Sequence, residues 1–271
     1  MDLIELLKYI LLGFIQGLTE TIPVSSSGHL AIFRELVNLD VDFQTLAIVT
    51  NFGSLLAIIV FFWKDISRLI KSFFSFLTTK KEEYKKDYNY CWLIVLGCIP
   101  AGIMGIGFTK IGLLKKIEEN IKFVGVSLLI TAALLYLIRN RKGKKQDGEI
   151  SRKNAFMIGI YQILGLLPGI SRSGSTIVGG LAQGLKRDTA FTFSFMMYIP
   201  LSMAAMALEM KDLLNANITT VVWVYYFISM VVAGIITYIV TRWFREIVNK
   251  GKLIYFSIYC AIVGCLVILF L

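Results

Sequence analysis

Long apolar runs alternate along this chain with short charged ones. Six of the runs, at about residues 46–63, 91–108, 121–138, 190–209, 221–240 and 253–271, approach the roughly 20 predominantly apolar residues that cross a hydrocarbon layer about 30 Å thick. Two further segments, at about 3–34 and 154–185, are also apolar but are interrupted by Gly, Pro and runs of Ser. Irregular backbone at membrane depth persists only where it is buried in protein or lines a cavity. The pattern therefore predicts an all-α polytopic membrane protein with six spanning helices and two re-entrant, broken helical segments.

Composition agrees. The chain is 56% apolar and only 17% charged, against about 25% charged residues in soluble domains, and its mean hydropathy is +0.72. Asp2 and Glu5 stand where a secretory signal would carry basic residues, so no cleavable signal is expected. Cys91, Cys98, Cys260 and Cys265 fall within or at the edge of predicted spans without metal-ligand spacing, and are expected to act as small hydrophobic residues.

A formal charge of +10 raises the question of a nucleic-acid partner, but the distribution of that charge argues for a bilayer instead. Of 28 Lys and Arg, seven fall in residues 64–90, seven in 139–153, two at 186 and 187, and four in 242–252. Those loops share one side if the six spans alternate, which the positive-inside rule assigns to the cytoplasm. The loops at 109–122 and 210–220 and the start of 35–45 are then outside.

The two broken segments resemble each other. "GFIQGLTETIPVSSSG" from Gly13 to Gly28 and "GIYQILGLLPGISRSG" from Gly159 to Gly174 share Gly, Gln, Ser, Ser and Gly at a constant offset of 146 residues, with Pro23 and Pro168 out of register by one. Three predicted spans follow each copy, an odd number, so the halves 1–145 and 146–271 are expected to form an inverted-topology repeat. In such folds the substrate site lies near the midplane, where the discontinuous helices meet.

Ionisable residues at that depth cost roughly 2.5 to 3.5 kcal/mol each on insertion scales and mark function by default. Glu20, His29 and Arg172 are the ones that stand out, with Glu209 close enough to a span end to reach water. In "PGISRSGST", Pro168 to Thr176, Arg172 offers a planar fork suited to phosphate. Ser171, Ser173, Ser175 and Thr176 add hydroxyls there, and a helix starting after the turn would direct its N–H groups at the same anion. An Arg172–Glu20 pair that merely neutralises both charges is the structural alternative. Gln16 and Glu20, four apart, share a helix face and could hold a hard cation together with phosphate oxygens. Ser26 and His29 lie three apart, a spacing that could pair a nucleophile with its base; the imidazole could instead attack phosphorus itself.

Together, "QGLTE", "PVSSSGH" and "PGISRSGST" resemble the undecaprenyl-diphosphatase family associated with bacitracin resistance. That family carries Glu or Gln, three residues and Glu, followed later by P-G-x-S-R-S-x-x-T. Gln16, Glu20, Pro168, Gly169, Ser171, Arg172, Ser173 and Thr176 match these motifs, and the likeness covers essentially the whole chain. Many members have Glu in place of Gln16, and often Thr in place of Ser27.

The resemblance implies hydrolysis of undecaprenyl diphosphate to the monophosphate and inorganic phosphate, recycling the carrier lipid of cell-wall synthesis. It implies catalytic roles for Ser26, His29, Glu20 and Arg172, while the residues themselves lead us to expect phosphate binding by Arg172, Ser171, Ser173, Thr176 and Ser27. It also implies a divalent cation, Mg2+ or Ca2+, near Glu20 and Gln16, a homodimer, and a bacterial cell membrane location with the site facing outside. A transporter or flippase for lipid-linked phosphate is the competing reading, because inverted repeats with broken helices are common in transporters.

Overall fold

The computed structural model describes residues 3–37, 43–118, 120–215 and 218–271. Parts of the loops that the charge pattern assigns to the outside, at 38–42, 119 and 216–217, lie outside the described residues. Regular structure among the described residues is helical, apart from one isolated bridge between Lys145 and Leu185.

The first half runs through α1 (Leu3–Thr21), α2 (Ser26–Val37), α3 (Phe43–Phe61), α4 (Trp63–Thr79), α5 (Glu82–Lys110), α6 (Leu113–Glu118) and α7 (Ile121–Ile138). The second half runs through α8 (Arg152–Leu164), α9 (Arg172–Ala182), α10 (Arg187–Asn215), α11 (Thr220–Lys250) and α12 (Ile254–Phe270). Five of these helices are long and apolar enough to cross a membrane: α3, α5, α7, α11 and the Arg187–Met210 part of α10. The sixth apolar stretch forms α12, which has 17 residues. Outward-facing side chains such as Leu137, 74% exposed, and Phe270, 77% exposed, give these helices an apolar surface that lipid rather than water would cover.

α4 was not expected. Its Ile66, Leu69, Ile70 and Phe73 recur at helical spacing between Lys64, Arg68 and Lys71, so the segment is amphipathic rather than apolar throughout. Asp87 at the start of α5 holds it, accepting from Ser72 Oγ at 3.1 Å and pairing with Arg68 Nε at 3.4 Å.

Both broken segments are helix, turn and helix. Pro23 follows the end of α1, and Pro168 and Gly169 follow the end of α8, where a missing N–H and restricted φ prevent either helix from continuing. The glycines shared by the two copies allow close crossings. A Cβ on Gly13 of α1 would lie 2.3 Å from the Ser229 carbonyl oxygen of α11, and one on Gly159 of α8 would lie 2.2 Å from the Gly97 carbonyl oxygen of α5. Small residues are what let helix backbones approach this closely in a membrane. α1 thus packs on the long helix of the second half as α8 packs on the long helix of the first, and the two turns meet between them.

Candidate active site

Each turn is built by a serine cap. Ser25 Oγ accepts the Gly28 N–H at 3.2 Å and its carbonyl accepts the His29 N–H at 3.1 Å; Ser171 Oγ accepts the Gly174 N–H at 3.1 Å and its carbonyl accepts the Ser175 N–H at 2.9 Å. These bonds satisfy donors that a helix start leaves free, and they explain the repeated Ser-x-Ser-Gly. The turns touch reciprocally: a Cβ on Gly28 would come 3.1 Å from Gly169 Cα, and one on Gly174 3.1 Å from Pro23 Cβ. One difference is conformational. Ser25 has φ +70°, a left-handed conformation uncommon for a residue with a side chain; in the second copy Gly169 takes the positive φ, +89°.

Between the turns lies a cavity of about 310 Å³, lined by Gln16, Glu20, Ser25, Ser26, Ser27, Ser171 and Arg172, with Asn51 and Glu209 among the remaining polar residues. Glu20 is its hub. The Glu20 side chain is only 4% exposed, and its carboxylate accepts three hydrogen bonds: from Arg172 Nη2 to Oε1 at 2.7 Å, and from Ser26 Oγ at 2.6 Å and Gln16 Nε2 at 2.9 Å to Oε2. A buried charge demands such compensation. Arg172 also donates from Nη1 to Ser202 Oγ at 2.9 Å and stacks over the Tyr198 ring, 4.1 Å from its centroid.

The expected residues are not all brought together. Ser26 bonds Glu20, whereas His29, one turn along α2, is absent from the cavity lining and makes other contacts. His29 Nδ1 lies 2.8 Å from the Ser25 carbonyl oxygen, and Nε2 lies 2.7 Å from the Tyr259 hydroxyl of α12. A carbonyl can only accept, so in the neutral ring Nδ1 carries the hydrogen and Nε2 accepts from Tyr259. Thr176, expected to bind phosphate, is 1% exposed; its hydroxyl donates back to the Arg172 carbonyl at 2.9 Å and meets Ser194 Oγ. Ser173 shares a 3.1 Å hydrogen bond with Ser171 and does not line the cavity.

Other residues were missed. Glu209, placed by the sequence close enough to a span end to reach water, is half-buried and also lines the cavity, a place the sequence pattern did not assign to it. Asn51, Tyr198 and Ser202 come from α3 and α10; Asn51 is the one side-chain amide in the 46–63 run and Ser202 the one hydroxyl between Tyr198 and Glu209, and that contrast is the signal that could have found them. Gln162, the repeat counterpart of Gln16, is fully buried with neither side-chain polar atom hydrogen-bonded. The counterpart of Glu20 is Leu166, so Gln162 lacks the carboxylate that Gln16 bonds.

Among the described residues no cluster of three His, Cys, Asp or Glu could hold a metal ion. The lining does offer oxygen ligands of the kind a hard cation takes, from Glu20, Gln16, Asn51 and the serines. They fit a cation whose coordination is completed by phosphate oxygens and water, not a cage made of protein alone.

The family described as bacitracin resistance protein BacA matches residues 9–266. The chain belongs to that family. It is similar to undecaprenyl-diphosphatase 1 of Bacillus cereus, with 42% identity over 265 residues, 98% of this chain and 97% of the relative. It is 41% identical over 270 residues to undecaprenyl-diphosphatase 1 of Bacillus licheniformis, covering 100% of both chains. The undecaprenyl-diphosphatase of Oceanobacillus iheyensis is 40% identical over 267 residues, 98% of this chain and 97% of the relative.

Proposed function

We propose that this BacA-family protein is an undecaprenyl-diphosphatase, releasing inorganic phosphate from undecaprenyl diphosphate and returning the monophosphate carrier to cell-wall synthesis. The observation that carries this reading is the arrangement on Glu20: one carboxylate holds the Ser26 hydroxyl on one oxygen and the Arg172 guanidinium on the other. Nucleophile, base and phosphate-binding cation therefore share one centre.

In the proposed reaction Arg172 and the N-terminal N–H groups of α2 and α9 bind the terminal phosphate. Ser26 Oγ attacks the terminal phosphorus as its proton passes to Glu20 Oε2, and the bridging P–O bond breaks with its electron pair going to the lipid monophosphate. A phosphate monoester has its second pKa near about 6, so this leaving group needs no proton. Water then attacks the phosphoserine, the Oγ–P bond breaks, and Glu20 returns the proton to Oγ. Phosphoryl transfer of this kind depends mainly on positioning and electrostatic stabilisation. A divalent cation held at Glu20 and Gln16 would offset diphosphate charge. Ser26 is thus activated by Glu20, in place of the Ser26 and His29 pair suggested by their spacing.

The re-entrant reading of the broken segments and the inverted repeat of 1–145 and 146–271 are supported by the matched crossings at Gly13 and Gly159 and by the reciprocal contact of the turns. At 1.5 Å per residue the 17 residues of α12 extend about 25 Å, at the short end for a sixth span. Glu209 stands toward the end of α10 that the charge pattern assigns to the outside, and its place in the cavity lining supports a site open to the outer face of a bacterial cell membrane. The homodimer follows from the family resemblance, and in-membrane cross-linking tests it.

Purified protein in detergent, given undecaprenyl diphosphate, is expected to release phosphate, and Ser26→Ala and Arg172→Ala to abolish release. Trapped phosphoenzyme should map to Ser26; phosphohistidine at His29 would overturn the assignment. Tight binding of the lipid by wild type with no phosphate release would favour transport over hydrolysis.

A further inference from the structure

Arg172 is held by more than its carboxylate partner. The Nη1 group bonds Ser202 Oγ at 2.9 Å, and the face of the guanidinium rests on Tyr198 at 4.1 Å. Tyr198 and Ser202 are four residues apart on α10, so they share one helix face and reach the same side chain. Both are themselves fixed, with exposures of 6% and 3%. The Tyr198 hydroxyl points to Asn51 Oδ1 at 3.5 Å, and its ring packs against Phe195 with centroids 6.3 Å apart.

Of the three groups on Arg172, only Glu20 is charged. A phosphate dianion arriving at the guanidinium competes with Glu20 for its N–H groups and repels the carboxylate. The other two do not compete. Ser202 takes one Nη1 hydrogen and Tyr198 occupies the face of the plane, while phosphate binds at its edge. An arginine has five N–H donors, and Glu20 and Ser202 take two of them.

We propose that Tyr198 and Ser202 are positioning residues for the phosphatase reaction. They hold Arg172 in place while its charge is transferred from Glu20 to the terminal phosphate, and that transfer frees Glu20 to accept the Ser26 proton. The proposal rests on the phosphatase reading of the site. The clamp itself can be measured without turnover, through the affinity for inorganic phosphate.

The test uses the full-length protein in detergent and compares wild type with Tyr198→Leu, Tyr198→Phe and Ser202→Ala. Inorganic phosphate binding is read by thermal-shift titration, and kcat and KM are read on undecaprenyl diphosphate. Loss of the ring face in Tyr198→Leu is expected to weaken phosphate binding and lower kcat/KM about two- to thirty-fold, the range of a partly buried cation–π contact. Tyr198→Phe keeps the ring face but loses the hydroxyl that interacts with Asn51, Ser202 and Glu20, and should be damaged less than Tyr198→Leu. Ser202→Ala removes a bond to a charged group and should weaken phosphate binding on the order of tenfold.

Unchanged phosphate affinity in both Tyr198→Leu and Ser202→Ala overturns the proposal, as does Tyr198→Phe as damaging as Tyr198→Leu. Should Tyr198→Leu not fold, Ser202→Ala, a smaller change, decides alone. Weakened phosphate binding in the variants of a protein whose wild type releases no phosphate would keep the clamp and sink the phosphatase reading.

Discussion

Replacing Glu20 by Gln is the sharpest perturbation, because it keeps the shape of the hub and removes its charge. The carboxylate accepts from Arg172, Ser26 and Gln16 at 2.7, 2.6 and 2.9 Å. A glutamine offers one acceptor oxygen and an NH2 that cannot accept, so at least one of these donors loses its partner. Breaking a buried pair costs about 3–5 kcal/mol. Arg172 is 23% exposed here, which brings the expected loss of stability down to about 2–3 kcal/mol after solvent screening.

The effect on turnover should be larger than this stability loss. Removing a general base costs about 10²- to 10⁴-fold, so phosphate release by Glu20→Gln should fall by that amount in protein that remains folded. Affinity for inorganic phosphate should move the other way. With its competitor gone, Arg172 is free for the anion, and a charge-assisted hydrogen bond of about 1.5 kcal/mol corresponds to roughly tenfold tighter binding. Phosphate release from undecaprenyl diphosphate, and thermal-shift titration with inorganic phosphate, read the two effects separately. Turnover within tenfold of wild type would remove Glu20 as the base. Weaker phosphate binding would falsify the competition between Glu20 and phosphate for Arg172.

Three further substitutions probe the frame. Gly159→Val places a Cβ 2.2 Å from the Gly97 carbonyl oxygen and should lower the Tm by the equivalent of at least about 1–3 kcal/mol, the usual penalty for overpacking. Thr176→Val leaves Ser194 without the Thr176 hydroxyl and should lose about 1–3 kcal/mol of stability while phosphate affinity stays within about threefold of wild type; a larger drop in affinity would restore Thr176 to the phosphate site. Gln162→Leu removes two buried polar atoms that have no partner and should raise the Tm, by up to about 1–3 kcal/mol on mutational scales; a lowered Tm would show that the amide is satisfied by something such as bound water.

Much of this arrangement was legible in the sequence because it is written locally. Pro23, Pro168 and the Ser-x-Ser-Gly runs mark the breaks wherever they occur, and a constant 146-residue offset shows that two such breaks belong together. The choice of partner for Ser26 was not legible. Spacing of three residues brings His29 near Ser26 on a helix, but side chains there lean toward the N-terminus, and His29 leans past Ser26 to the Ser25 carbonyl. Glu20 reaches Ser26 only because the chain reverses between Thr21 and Ser26. Tyr198 and Ser202 depend on how α10 packs, which no local pattern contains. α4 was missed for another reason: its Lys and Arg interrupt the apolar run, while the periodic signal of Ile66, Leu69, Ile70 and Phe73 was present throughout.

The separation of Glu20 and Arg172 also has a consequence for biosynthesis. The two partners are 152 residues apart, and chains grow at about 5–20 residues per second, so the carboxylate is made roughly 8 to 30 s before the guanidinium that neutralises it. An unpaired acid at membrane depth is costly throughout that interval. The first broken segment is therefore expected to wait close to water until the second arrives, and its α1 takes its final packing only after α11 has been made.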